Sequence, residues 1–392
     1  VLNRIIVAVS LPRGFSSFVT NVGIKDHTDD FTVVTADAPV ATAGVFTQSR
    51  FAGPSVVVSR EHLSSQTAQA VVVISKNANV ATGPIGLQHA QEITASVAAR
   101  LGCQPRDVLI ASTGVIGRVY PIDNIRKGIT ALPIPLPNNE ADEVARGIMT
   151  TDTVPKIAHS PIEGSDATIV GVAKGVGMIE PNMATLISLV FTDALIDNDT
   201  LDKTFRNVIN RTLNCVSIDS DTSTSDTAII MASGAAGRVN NTSFENALHK
   251  VLLSLTQQVA RDGEGAEKLI EVHVDGARDD VQAKRVAKSI VNSPLVKTAV
   301  HGADPNWGRV AMAVGKCETD TDIDQTKVII RFGQQEVFPT QVGEKDLAQL
   351  SEYMRGDTVR IHVSLAIGNG NATVWGCDLT DGYVRINADY TT

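Results

Sequence analysis

Aromatic residues make up only 4% of this 392-residue chain, so its interior must be filled mainly by Val, Ile, Leu and Ala. Cysteine is sparse too: Cys103, Cys215, Cys317 and Cys377 stand far apart, with no CxxC pair. That spacing argues against a disulfide framework and a zinc site, and favours reduced thiols in a cytoplasmic protein. Basic residues are outnumbered, 34 to 43, and the net charge of −9 disfavours a nucleic-acid partner. No apolar run approaches the roughly 18 residues of a membrane span, so no membrane partner is expected. The opening VLNRIIVAVSLPRG is apolar, but Arg4 interrupts it and no small-residue cleavage site follows, so a secretory leader is not expected. It lacks an initiating Met, which points to a trimmed or atypical start. P-loop, HExxH and dinucleotide fingerprints are missing.

What is present is a hydrophobic fraction of 43% and a length sufficient for two or three domains. Short β-branched runs alternate with helical patterns throughout. FTVV (31–34), SVVVS (55–59), AVVVIS (70–75) and DVLIAS (107–112) read as buried strands. Later strands are expected at 227–233, 268–274, 327–332, 359–367 and 372–377. Helical spacing marks 87–101 and 139–149, then 198–213, 243–260, 278–291, 305–316 and 346–355. The prolines of ALPIPLPNNE (131–140) forbid regular structure there. The alternation predicts an α/β or α+β protein.

The unusual segment is GVAKGVGMIEPNMATLISLVFTDA (171–194), with three glycines in seven residues, a Pro, and Ala184–Thr185 directly before an apolar strand. A Thr opening a strand has a restricted χ1 and a rigid support, which suits a nucleophile. It lacks a base, since no Ser-His-Asp arrangement surrounds it. Cleavage before Thr185 would supply one. The freed α-amino group has an ordinary pKa of roughly 7.7–8.0 and can take the proton of its own hydroxyl. A Gly-rich loop before a strand is also a common structural feature, and spacing alone does not separate the two readings.

KGVGMIEPNMAT closely resembles the hallmark of the ornithine acetyltransferase (glutamate N-acetyltransferase) family. The likeness extends from about Arg13 onward, through FAGPSVVVSR (51–60), NANVATG (77–83), ASTGVIG (111–117), MTTDT (149–153) and SIDSDTSTSDT (217–227). It continues in DGEGAEKLIEV (262–272), NSPLVKTAVHGADPNWGRVAMAVGKC (292–317) and the terminal GYVRINADYTT. The wording is closest to the branch associated with clavam gene clusters. The resemblance implies a DmpA/ornithine-acetyltransferase-like α/β fold akin to N-terminal-nucleophile hydrolases, with mixed sheets and flanking helices. It implies self-cleavage at Ala184–Thr185 into an α chain (1–184) and a β chain (185–392), assembled as (αβ)2. The implied reaction is ping-pong transfer of acetyl from N2-acetyl-L-ornithine to L-glutamate, releasing ornithine and N-acetylglutamate, with no metal or organic cofactor.

Carried over residue by residue, the resemblance makes Thr185 the nucleophile and Thr113 with Gly114 the oxyanion hole. It makes Thr151, Lys174, Thr185, Glu264, Asn387 and Thr392 substrate contacts. Thr150 competes with Thr151, and Asp262 and Glu267 flank Glu264 as neighbouring acids. Val176, where the family usually has a small residue, and Glu180, often His or apolar, depart from the pattern beside the cleavage turn. ETDTDIDQ (318–325) resembles the start of a calcium loop, but Gln325 replaces the turn Gly and Arg331 the bidentate Glu, so an acidic loop is expected. His301 is expected to be structural or supporting. Two other readings stay open: an amidohydrolase of the same superfamily, and an uncleaved, catalytically silent homologue.

Overall fold

The computed structural model describes residues 9–180 and 186–389; Ala184, Thr185 and Thr392 lie outside the described residues. In the first part, β1 (Phe15–Thr20) and β2 (Phe31–Phe46) precede α1 (Pro54–His62), β3 (Thr67–Ile74), α2 (Gly83–Leu101) and β4 (Val108–Ser112). Then come α3 (Ile122–Thr130), α4 (Ala141–Gly147), β5 (Lys156–Pro161) and β6 (Thr168–Lys174). The second part opens with β7 (Ile187–Leu195), α5 (Asn198–Arg211), β8 (Thr227–Arg238), α6 (Asn241–Arg261) and β9 (Leu269–Ala277). It continues with α7 (Asp280–Val291), α8 (Pro294–His301), α9 (Trp307–Gly315), β10 (Ile329–Phe332) and β11 (Gln335–Phe338). It closes with α10 (Glu344–Met354), β12 (Thr358–Ser364), β13 (Gly370–Cys377) and α11 (Asp381–Ala388).

Among the described residues, eight strands form one mixed sheet in the order β4-β3-β2-β8-β7-β6-β5, with β1 also paired to β2. β2 is the corner. Its ladder to β3 shifts register between Thr35 and Val40, and along its other edge β1 pairs with Phe31–Ala36 and β8 with Ala41–Phe46. The bend folds the sheet over on itself, because Val71, Val73 and Leu109 of one half pack with Val172, Leu189, Phe191 and Met231 of the other. Ile93 and Val97 of α2 cover one outer face, and Phe205, Leu248, Val251 and Leu255 of α5 and α6 cover the other. The folded sheet therefore has a helix layer on each side. A second, five-stranded sheet, β11-β10-β12-β9-β13, packs one face against α7.

The α/β expectation holds, with one correction. SVVVS (55–59) is not a strand but the first turns of α1. Pro54 at the helix start and Gly53 before it set the helical entry. The helix then turns Ser55, Val56, Val58 and Ser59 inward, and Ser59 Oγ donates to Ile110 O at 2.6 Å while accepting from Ile110 N at 2.7 Å. Tertiary packing overrides the β-branched preference here. The acidic stretch 318–325 is a loop in which buried Asp320 accepts two hydrogen bonds from Arg285, both at 2.7 Å. Among the described residues, no helix is long and apolar enough to cross a membrane.

Candidate active site

β4 ends in a turn that only glycine can make. Thr113 N donates to Ile74 O at 3.1 Å, which closes the turn against β3. Gly114 has φ of 126°, and a Cβ there would stand 2.2 Å from the Lys76 carbonyl carbon. Lys76 is itself fixed: its buried ammonium pairs with Asp26 at 2.7 Å, and its φ is 71°. Thr113 and Gly114 are thus held by packing from both sides.

Opposite this turn, β6 ends at Lys174, which is buried and donates to Thr113 Oγ1 at 3.3 Å. Burial pushes the Lys174 ammonium below the usual lysine range, against the opposing pull of Asp152. Behind it lies a chain of charges. Asp152 accepts from Gly175 N at 2.7 Å and from Lys156 Nζ at 2.7 Å, and Lys156 also reaches Asp262 at 2.6 Å. Lys156 is fully buried. Burial raises the Asp152 carboxyl, but Lys174, Lys156 and the Gly175 N–H outweigh it and hold the group below its ordinary 3.8. This network fixes the strand end from which Lys174 projects.

Glu264 follows α6, and its N–H donates to Val176 O at 2.8 Å. Its carboxylate rests on Gly177, where any Cβ would meet Glu264 Oε2 at 2.5 Å. Thr151 Oγ1 donates to Glu264 Oε1 at 3.2 Å, and Asn387 Nδ2, from α11, donates to Oε2 at 2.9 Å. It is therefore Thr151 whose side chain meets Glu264, while Thr150 N bonds Asp152. Asp262 serves Lys156 and Thr153 instead. His301 Nδ1 lies 3.2 Å from Asp378 Oδ2, and Asp378 Oδ1 accepts from the N–H groups of Glu267 and Lys268 at 2.9 Å. His301 thus braces the loop that carries Glu264.

One cavity of about 230 Å³ is lined by Thr113, Gly114, Thr151, Lys174, Glu264 and Asn387, which come from five separate places in the sequence. Leu186 and Ile187, the two residues after Thr185, form part of the same wall. Val176 is buried in that wall, and Glu180 is tied to Ser217 Oγ at 2.9 Å and to Asn292. Both departures are therefore packed into the structure. Sequence reasoning missed Asp226, a buried acid of the cavity wall whose carboxyl is held well above its usual range by burial. The enabling support of Asp152 and Lys156 was missed as well. Neither has a spacing signal, because both depend on what surrounds them once the sheet has folded.

A model of the ArgJ family matches residues 16–392. Arginine biosynthesis bifunctional protein ArgJ 2 of Nostoc sp. is 55% identical over 387 residues, covering 99% of this chain and all of that protein. Glutamate N-acetyltransferase Oat2 of Streptomyces clavuligerus is also 55% identical over 387 residues, covering 97% of this chain and 98% of that one. A crystal structure of an arginine biosynthesis bifunctional protein ArgJ from Bacillus halodurans is 43% identical, with a TM-score of 0.48. It covers 50% of this chain and 96% of that chain.

Proposed function

The chain belongs to the ArgJ family, and on that premise we propose that it is a glutamate N-acetyltransferase working through an acetyl ester on Thr185. The chain first cuts itself between Ala184 and Thr185, and the new α-amino group serves as the base for the neighbouring hydroxyl. Thr185 Oγ then attacks the acetyl carbonyl of N2-acetyl-L-ornithine, and ornithine leaves. L-Glutamate takes the acetyl group from the ester and departs as N-acetylglutamate.

The observation that carries this reading is the common cavity. It combines a rigid pair of oxyanion donors at Thr113 and Gly114, a cation at Lys174 and an acid at Glu264. Both substrates bear an α-carboxylate, which Lys174 suits, and acetylornithine bears a free δ-amino end, which Glu264 suits with Thr151 and Asn387 orienting it. Preorganised oxyanion donors are worth roughly 3–4 kcal/mol each to a transition state. Thr392 completes the substrate contacts in this proposal. The enzyme works without a metal or organic cofactor.

The cut leaves the site intact. β7 stays hydrogen-bonded to β6, from the 1–184 fragment, and to β8, from the 185–392 fragment. Thr113, Gly114 and Lys174 come from one side of the cut, Glu264 and Asn387 from the other. Neither fragment holds the site alone, and two copies of each make the (αβ)2 enzyme.

Mixing the protein with acetylornithine, with and without glutamate, tests the activity. Ornithine release should continue past one turnover only when glutamate is present. Release at the same steady rate without glutamate would mean that water takes the acetyl group, and that the enzyme is an amidohydrolase.

A further inference from the structure

The motif SIDSDTSTSDT (217–227) reaches the cavity but has no part in the steps above. Its Asp226 stands just before β8, where Thr227 N donates to Leu186 O at 3.0 Å, so it adjoins the head of β7. The side chain is buried in the cavity wall. Ser223 and Thr47 stand beside its carboxyl group, yet Oδ2 has no hydrogen-bond partner among the described residues. A buried polar atom left unspent calls for a reason. Lys174 is the charged group that acts on Asp226, and Lys174 in turn faces Asp152, Lys156 and Glu264.

The protons of the transfer supply that reason. In the first half-reaction the departing amine gains the Thr185 hydroxyl proton through the α-amino group, and it needs one more to leave as ornithine's stable ammonium. In the second, glutamate arrives as an ammonium and must lose one proton before its nitrogen can attack. One proton is wanted in the first step and must be removed in the second.

We propose that Asp226 is a further catalytic residue of the transfer, holding this proton between the two half-reactions. The inference rests on the acetyl-Thr185 reading. As ornithine leaves, the Asp226 carboxyl gives its proton to the amine nitrogen and becomes a carboxylate beside Lys174. When glutamate enters, that carboxylate takes a proton from the α-ammonium. The freed lone pair forms the new C–N bond, the ester C–O bond of Thr185 breaks, and the remaining excess proton on nitrogen returns to Thr185 Oγ through the α-amino group. Burial favours the acid form of Asp226, and Lys174 eases its ionisation.

The test compares two acceptors on acetyl-enzyme made from acetylornithine: glutamate, and hydroxylamine, which is mostly uncharged at neutral pH. In Asp226→Asn, kcat/KM for glutamate should fall roughly a hundredfold near pH 7 and recover with unit slope as pH rises, while hydroxylamine stays within about threefold. An equal loss with both acceptors would assign Asp226 to structure and overturn the proposal, as would no loss with glutamate. Should the variant fail to fold, the wild type decides. The ratio of its kcat/KM for glutamate to that for hydroxylamine should be flat from about pH 7 to about pH 9, since the α-amino group serves both acceptors alike, and a unit slope in that ratio would overturn the proposal. Acetyl-enzyme is quantified first, so its absence identifies a failure of the underlying Thr185 reading, which removes this inference with it.

Discussion

Replacing Thr185 by alanine is expected to leave one uncut chain of 41.5 kDa with no measurable acetyl transfer. The wild type should instead run as fragments of 184 and 208 residues, about 19 and 22 kDa. The reason is that one hydroxyl serves twice, first against the Ala184 carbonyl and then against the acetyl group of the donor. Without it neither ester can form, and no other residue in the proposed mechanism substitutes for it. Thr185→Ser keeps the hydroxyl and should retain both activities at reduced rates. A denaturing gel and an ornithine-release assay read the two effects separately. Two fragments from the alanine variant would place the nucleophile elsewhere.

Gly114→Ala should lower kcat by roughly a hundred- to a thousandfold, the loss that follows when a preorganised oxyanion donor is displaced. The substitution faces two obstacles at once. Its φ of 126° is one that L side chains rarely adopt, and the added Cβ would lie 2.2 Å from Lys76 backbone. Lys76 cannot readily give way, because its buried ammonium is held by Asp26 and Thr28 O. The turn must therefore shift, and the donors move with it. KM should change far less than kcat, since the oxyanion exists only in the transition state and not in the bound substrate. A kcat per cleaved chain within about threefold of wild type would remove Gly114 from the oxyanion hole.

Apolar runs such as AVVVIS and LISLVF announced their strands, and the Pro-rich 131–140 segment announced its irregularity. SVVVS did not announce α1, because its helical state depends on Pro54 and on Ser59 meeting Ile110 across the core. Thr113, Lys174, Glu264 and Asn387 carry no local pattern that joins them. They were nameable only through resemblance, and the bend in β2 and the return of α11 bring them to one cavity. That Thr151 presents its hydroxyl to Glu264 is visible only in the folded structure. Asp226 and Lys156 look like ordinary surface charges in the sequence. Burial alone makes them consequential, and burial is a property of the folded sheet.

Between the two half-reactions the acetyl group rests on Thr185 in the proposed mechanism. Purified enzyme mixed with acetylornithine alone should yield a 208-residue fragment heavier by about 42 Da, one acetyl group, confined by peptide mapping to Thr185. Adding glutamate should return the fragment to its original mass and produce N-acetylglutamate. An unmodified fragment under conditions where acetyl transfer proceeds, or an acetyl group on any other residue, would contradict that mechanism.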